Sequence, residues 1–266
     1  MPPIVRHDES AHDSSSAPEC RELLEEVAAQ SKSRTGLWAS FLGRTALARV
    51  AEVGVWKGDF AAAMLGACPT IDTYVMIDPW RHLDEWNKPA NVATTAFEAI
   101  RAEAMAKTEF GAARRRVLRG TTLEVIDAID EGSLDFAYID GDHTLRGIVT
   151  DLVAMRPKVR AGGFLAGDDF CPNVWQHGAA YEPTLVFPVA VDVALAMRAT
   201  IFALPFNQFL IALPNEGEGG RGEFVDLVGA YPTLDLGAQV RPPRPGLGQR
   251  LRGALSSMRS GPPPRA

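Results

Sequence analysis

The stretch that decides the fold is LDFAYIDGDHTLRGIVTDLVAMRPKVRAGGFLAGDDF, residues 134–170. An apolar run over 134–139 predicts a buried strand, and apolar residues at helical spacing predict a helix over 144–157. A pair of glycines then turns the chain into a second strand over 164–166. A strand, a helix and a second strand in this order predict a right-handed βαβ unit whose two strands are parallel.

Both strands of this unit end in acidic residues. Asp140 follows the first strand, and Asp168 and Asp169 follow the second. Because the carboxyl ends of parallel strands meet at one edge of a sheet, we expect the three carboxylates to lie close together. Such a cluster is typical of a site for a hard cation. The alternative for Asp168 and Asp169 is a solvated pair in a loop.

A second informative stretch is RVAEVGVWKGDFAAAML, residues 49–65. It predicts a strand that carries Glu52 and breaks at Gly54, followed by a helix that opens at Gly58. Glycine allows a tight turn and a close approach of the backbone to a ligand. The spacing differs from the GxGxxG fingerprint of dinucleotide sites, and an acid here would repel a phosphate. The pattern therefore suits a ligand with an ammonium or sulfonium charge, although packing alone also produces such turns.

Two later strand ends carry further candidate binding residues. A strand over 73–77 ends in Asp78, which is placed to accept hydrogen bonds from ribose hydroxyls. Trp80 either lies over an adenine ring or belongs to the core. Thr121 follows a strand over 117–119 and either caps the next helix or contacts adenine.

The composition limits the class of protein. A chain of 266 residues with 46% hydrophobic and 23% charged residues suits one globular domain. A net charge of -6 argues against nucleic acid as the main partner, and no apolar run approaches the ~20 residues of a membrane span. The N-terminus lacks the apolar centre of a signal peptide. Three cysteines without metal-ligand spacing predict reduced thiols in a cytoplasmic protein.

Taken together, the segments EVGVWKGDF, MIDPW, IDGDH and GGFLAGDDF resemble class I S-adenosylmethionine-dependent methyltransferases. Within that class they resemble the metal-dependent small-molecule O-methyltransferases of the macrocin type, and more distantly the catechol and caffeoyl-CoA enzymes. The resemblance covers about residues 50–213. It implies an α/β, Rossmann-like fold with a seven-stranded, mostly parallel sheet and helices on both faces.

The resemblance also implies roles for individual residues. Mg²⁺ would be held by Asp140, Asp168 and Asp169, and His143 would be the general base that deprotonates a metal-bound hydroxyl. An imidazole with an ordinary pKa of ~6.5 suits a base near neutrality. The alternative is that His143 only hydrogen-bonds Asp140. The predicted contacts to S-adenosylmethionine are Glu52, Gly54, Gly58, Asp78, Trp80, Thr121 and Asp140.

Two long connections lie at this edge. The connection over 81–96 is a candidate segment for closing over the substrate, and the connection over 171–186 is expected to select the acceptor. Their candidate substrate contacts are His82, Trp86, Trp175, His177 and Tyr181. The resemblance to sugar-methylating enzymes implies a saccharide or oligosaccharide acceptor, more specifically the 1-hydroxyl of a methylated mannoside in polysaccharide biosynthesis. The alternatives are a phenolic, catechol or other natural-product acceptor, and a non-catalytic scaffold that binds S-adenosylmethionine. A homodimer is also expected from the resemblance.

The predicted organisation has four parts. Residues 1–17 are expected to be disordered, and 18–48 to form an N-terminal helical cap, with a substrate lid as the alternative. The methyltransferase domain is expected over 49–230, and a basic tail rich in Pro, Arg and Gly over 231–266.

Overall fold

A computed structural model describes residues 17–217 and 220–231. The expectations of a disordered start and a basic tail concern segments outside the described residues, apart from Ala17 and Tyr231. The helices are α1 (Ala17–Gln30), α2 (Arg34–Thr45), α3 (Asp59–Ala67), α4 (Thr94–Lys107), α5 (Thr122–Val125), α6 (Leu145–Met155) and α7 (Val186–Ala196). The strands are β1 (Arg49–Val53), β2 (Thr73–Asp78), β3 (Arg115–Arg119), β4 (Leu134–Ile139), β5 (Val159–Gly167), β6 (Thr200–Leu204), β7 (Gln208–Ala212) and β8 (Glu223–Asp226).

Within the described residues, the eight strands form one sheet in the order β3-β2-β1-β4-β5-β7-β6-β8. Strand β7 is antiparallel to both of its neighbours, and the other pairs are parallel. The chain leaves β1 toward one side of the sheet and returns to β4 on the other side. The carboxyl ends of these two adjacent strands therefore flank the crevice where open α/β sheets bind ligands.

The mostly parallel sheet is confirmed, but the prediction of seven strands is wrong. The eighth strand, β8, pairs in parallel with β6. It has four residues, of which only Val225 is buried, so no apolar run marks it in the sequence. The boundary of β5 also differs from the expected 164–166. The strand already begins at Val159, and the glycine pair lies in a bulge within it rather than before it.

Helices cover both faces of the sheet, as predicted. On one face, helices α1 to α4 contribute buried apolar side chains to a cluster with the sheet. On the other face, α6 and α7 do the same through residues such as Ile148, Leu152 and Phe187. Strands β1 and β4 lie between the two layers, which is why their sequences are apolar runs rather than alternating patterns. Among the described helices, none is both long and apolar enough to cross a membrane.

Helix α2 packs its apolar side chains against the sheet. Leu37, Trp38 and Phe41 of this helix are fully buried against the sheet. The indole nitrogen of Trp38 also donates a hydrogen bond of 2.8 Å to the side chain of Gln208 in β7. The N-terminal helices are therefore part of the core, and their first residues are held in a fixed position beside the sheet edge.

At the amino end of the parallel strands, Asp135 forms the main ionic cluster of the sheet. Its carboxylate accepts hydrogen bonds from Arg49 at 2.7 Å and from Arg160 at 2.8 Å, and its side chain is only 9% exposed. Burial alone would raise the pKa of Asp135, but the hydrogen bonds from the two arginines lower it to about 2.

We expect Asp135→Asn to lower the free energy of unfolding by about 2 kcal/mol at neutral pH, because it removes charged hydrogen bonds. The depressed pKa makes this stabilisation complete above the unfolded-state pKa of about 3.9, and it is lost as the pH falls toward the folded value. Urea unfolding between pH 7 and pH 3 measures the difference. The control is Asp127→Asn, at an exposed carboxylate. A difference from wild type that does not shrink with acidification would contradict the assignment.

Candidate active site

A cavity of about 430 Å³ opens at the carboxyl edge of β1, β2 and β4. Its volume lies within the usual range for small-molecule sites. Of the predicted site residues, those that line it are Glu52, Gly54, Asp78, Trp86, Thr121, Asp140, His143, Asp169 and His177. Those that do not line it are Gly58, Trp80, His82, Asp168, Trp175 and Tyr181.

The turn after β1 brings the ends of β1 and β4 into direct contact. Gly54 has a φ of 88°, and a Cβ atom there would lie 2.0 Å from the carbonyl oxygen of Asp140. The backbone nitrogen of Asp140 in turn donates to the carbonyl of Val53 at 2.7 Å. Gly58 precedes α3 and faces Ala104 of α4 rather than the cavity. Packing therefore requires both glycines, and Gly54 alone also forms part of the cavity wall.

Glu52 is a buried acid in the cavity wall. Its side chain accepts a hydrogen bond of 2.8 Å from the hydroxyl of Tyr74 and is almost completely inaccessible to water. Burial raises the pKa of Glu52 well above its usual range, the hydrogen bond from Tyr74 opposes this, and the nearby charge of Asp140 adds to the increase. A positively charged ligand group in the cavity would favour the ionised form of Glu52.

Asp78, at the end of β2, organises the adjoining turns. Its carboxylate accepts hydrogen bonds from the backbone nitrogens of Trp56 at 2.9 Å and Trp80 at 2.7 Å. Burial raises the pKa of Asp78, although these backbone hydrogen bonds act against the increase. The side chain of Trp80 is fully buried, and its indole nitrogen donates to the carbonyl of Trp56 at 2.9 Å. Its prediction as an adenine contact is wrong, because it belongs to the core, the second of the two interpretations.

The start of α5 and one residue of α6 also line the cavity. Thr121 is the N-cap of α5, makes a capping box with Glu124 and also lines the cavity. The next residue, Thr122, donates a hydrogen bond of 2.5 Å to Asp151. Burial raises the pKa of Asp151 to about 7. Sequence reasoning missed this acid, although its place among the apolar residues of α6 marks it as inward-facing.

The acidic edge, defined here as Asp140, Asp168 and Asp169, contains a cation that the sequence analysis did not identify. Arg34, the first residue of α2, donates from Nη1 to Asp140 at 2.9 Å and also to Asp168. Burial lowers the pKa of Arg34, but the neighbouring groups, chiefly Tyr138 and the two carboxylates, raise it above its usual value. The guanidinium therefore stays charged and bridges the two aspartates.

Asp168 is held from behind by Gln208. The amide nitrogen of Gln208 donates to Asp168 at 2.5 Å. Its amide oxygen accepts hydrogen bonds from Trp38 at 2.8 Å and from the hydroxyl of Tyr138 at 2.6 Å. Asp168 is thus fixed through hydrogen bonds to α2, β4 and β7, and lies behind the cavity wall rather than in it.

His143 pairs with the third carboxylate. Its Nδ1 lies 2.5 Å from Asp169 Oδ2, and its Nε2 lies 3.5 Å from Asp140 Oδ1 and has no hydrogen-bond partner among the described residues. Burial lowers the pKa of His143, but the hydrogen bond and charge of Asp169, together with the other two carboxylates, raise it to about 9. The imidazole is therefore protonated at neutral pH.

The predicted Mg²⁺ ligands do not fit a metal ion in this arrangement. Asp140 and Asp168 are bridged by Arg34, while Asp169 is turned toward His143. Over residues 17–217 and 220–231, no group of three or more His, Cys, Asp or Glu side chains is placed to hold a metal. The sequence predicted the convergence of the acids, and the structure provides side-chain cations as their partners.

Lys88 lines the cavity and joins the long connections over 81–96 and 171–186. Its Nζ donates to the carbonyl of Glu182 at 2.8 Å and to the hydroxyl of Thr184 at 3.1 Å. Burial lowers the pKa of Lys88. Trp86 lines the cavity, and its buried indole nitrogen has no hydrogen-bond partner within the described part of the chain.

A family model described as a methyltransferase domain matches residues 51–170. The matched region runs from β1 to the end of the acidic edge and contains most of the cavity wall. No curated protein sequence matches the chain.

Solved structures share the fold. One is the O-methyltransferase from Bacillus cereus in complex with SAH (S-adenosylhomocysteine), with 14% identity, a TM-score of 0.52 and coverage of 80% of this chain and 93% of that one. Another is the O-methyltransferase TomG from Streptomyces achromogenes, involved in tomaymycin synthesis and bound to SAM (S-adenosylmethionine). It has 18% identity and a TM-score of 0.50, and the match covers 80% of this chain and 92% of TomG. At these identities the likeness establishes the Rossmann-like methyltransferase fold, here with an eight-stranded mixed sheet.

We expect Gly54→Ala to destabilise the protein by about 3 kcal/mol or more, because the new Cβ meets the backbone of Asp140 and the positive φ disfavours alanine. The matched control is Gly43→Ala in α2, where a Cβ has no neighbour within 4 Å. That change should be neutral or stabilising by up to about 1 kcal/mol. Urea unfolding of both variants measures the effects, and equal stability changes would contradict the close approach of β1 and β4.

Proposed function

We propose that the protein is an O-methyltransferase that transfers the methyl group of S-adenosylmethionine to a hydroxyl of a sugar. The observation that carries the proposal is the buried acid Glu52 in the wall of the cavity, within a methyltransferase domain. Burial disfavours the ionised form of Glu52, so a ligand group with a positive charge is needed to stabilise that form. The methionine end of this cofactor bears both an ammonium and a sulfonium charge.

The residues around the cavity fit the remaining parts of the cofactor. Asp78 is the last residue of β2, the position from which acids bind ribose hydroxyls in nucleotide-binding sheets. Thr121 and Asp151 line the wall beyond it and present polar atoms for an adenine ring. S-adenosylmethionine supplies a methyl group activated by its sulfonium. The protein's part is to align the acceptor oxygen with that methyl group and to take up the proton of the hydroxyl.

His143 is the proposed general base. Its side chain lines the cavity, and Nε2 is the ring nitrogen without a partner among the described residues. Asp169 holds Nδ1, which orients the ring and leaves Nε2 to accept a proton from the acceptor hydroxyl. Because the carboxylates raise the pKa of His143 to about 9, the base form becomes abundant only in alkaline solution.

The acceptor end of the cavity supports a hydroxyl-rich ring. Trp86 offers an aromatic face and an indole N–H without a partner in the described residues, and His177 and Lys88 add polar groups. Sugars combine apolar ring faces with hydroxyls that satisfy such donors. The more specific proposal is the 1-hydroxyl of a methylated mannoside. The proposal includes no Mg²⁺, because Arg34 and His143 already pair with its three predicted ligands.

The test is transfer of labelled methyl from S-adenosylmethionine to mannosides, other sugars and catechols. We expect label in a sugar, and loss of both cofactor binding and transfer in Glu52→Gln, which cannot offset the positive charge of the ligand. Asp59→Asn, at an exposed carboxylate paired with Lys107 at the cavity rim, is the control and should retain binding. Label only in catechols would replace the sugar by a phenol. A wild-type protein that does not bind S-adenosylmethionine would refute the proposal.

The pH dependence of the reaction should report the raised pKa of His143. We expect log kcat/KM to rise with pH until about pH 9 in the wild type. In Asp169→Asn the rising limb should move to lower pH, because the carboxylate that favours the imidazolium is gone. Asp142→Asn, whose carboxylate instead accepts from Thr144, is the control and should leave the limb in place. A profile that is flat from pH 6 to pH 9 would exclude His143 as the base.

A further inference from the structure

We infer that Arg34 takes the place of a divalent cation at the acidic edge: its guanidinium bridges Asp140 and Asp168 and keeps metal ions out of the site. The inference deepens the proposed methyl transfer and rests on it for the activity measurement, whereas metal binding can be measured without any acceptor.

The positive charge of Arg34 lies between the carboxylates of Asp140 and Asp168. One nitrogen of Arg34, Nη1, donates to both Asp140 and Asp168, so the positive charge lies where a shared metal ion would lie. These carboxylates come from the ends of adjacent strands β4 and β5, and both are only partly exposed. A cation between two carboxylates that share one donor offsets their repulsion, and a guanidinium remains charged at every physiological pH.

Contacts with the core hold Arg34 in place. It is the first residue of α2, and the Ser33 side chain caps that helix by accepting from Gly36 at 3.1 Å. One turn later, Trp38 is fully buried and hydrogen-bonded to Gln208, the same amide that binds Asp168. The guanidinium also lies over the ring of Phe60, with 5.9 Å between Cζ and the ring centroid. Displacing Arg34 would therefore disturb contacts on three sides.

The remaining carboxylate, Asp169, is also paired with a side chain of the protein. Asp169 has a φ of 56° and turns its carboxylate to His143, 2.5 Å away. A metal ion at the edge would have to displace Arg34 and also compete with His143 for Asp169. The chain thus sets two cations of its own against the three carboxylates, and Arg34 acts as a positioning residue that fixes Asp140 beside the cavity.

The direct test is a Mn²⁺ titration of the full-length protein, followed by the electron paramagnetic resonance signal of free Mn²⁺. We expect wild type to leave the signal unchanged and Arg34→Met to take up Mn²⁺ stoichiometrically, since the bared carboxylates become ligands. Adding Asp168→Asn to Arg34→Met should abolish the uptake. Arg34→Lys keeps the charge and should exclude Mn²⁺, and Arg44→Met, at an exposed ion pair on the same helix, should behave as wild type.

The same variants give a second measurement once an acceptor is labelled. We expect wild-type turnover to be unaffected by EDTA, Arg34→Met to lose about tenfold or more, and Mg²⁺ to restore part of that loss. Mn²⁺ uptake by wild type that Asp140→Asn removes would overturn the inference, as would a folded Arg34→Met that binds no Mn²⁺. Neither result depends on methyl transfer, so failure of the proposed function would be seen separately, as absence of S-adenosylmethionine binding.

Discussion

The ion pair of Arg34 with Asp140 and Asp168 joins the N-terminal helices to the edge of the sheet where the cavity opens. Three carboxylates at the ends of buried strands would repel one another and lose hydration, so the fold needs compensating cations there. Arg34 provides one, and the imidazolium of His143 provides the other. The packing of α2, the hydrogen bonds of Gln208 and the turn of the chain at Asp169 all serve to keep these charges paired.

The central strands of the fold were predictable because burial on both faces requires a continuous run of apolar residues in the sequence. Strand β4 occupies Leu134–Ile139 as expected, since a parallel strand between two helical layers must be apolar throughout. The sequence pattern is weaker for β8 and for the first half of β5. Strand β8 buries one side chain, and the bulge in β5 places Gly162 and Gly163 inside a strand that they were expected to precede. Local sequence patterns do not predict strand pairings that depend on contacts between residues distant in the sequence.

The sequence predicted which acids lie in the candidate site but not all of the cations with which they form ion pairs. Topology alone places Asp140 and Asp168 at one edge, whereas Arg34 reaches them from 106 and 134 residues away in the sequence. Its position after a capping serine carries no signal of that contact. Trp80 illustrates the opposite error: an aromatic residue after a strand fits a cofactor contact and a core residue equally well, and only the burial of its side chain decides. Patterns of single residues do not distinguish packing from binding.

The proposed cofactor site lies beside an acidic edge where Arg34 and His143, rather than a metal ion, pair with the three carboxylates. A crystal structure of the protein with S-adenosylhomocysteine and Mn²⁺ in the crystal, with anomalous diffraction measured at the manganese edge, tests it most directly. The account predicts the cofactor product between Glu52 and Asp78, Arg34 still bridging Asp140 and Asp168, and no anomalous peak at the acidic edge. A manganese peak there with Arg34 displaced, or a ligand bound outside the cavity, would contradict it.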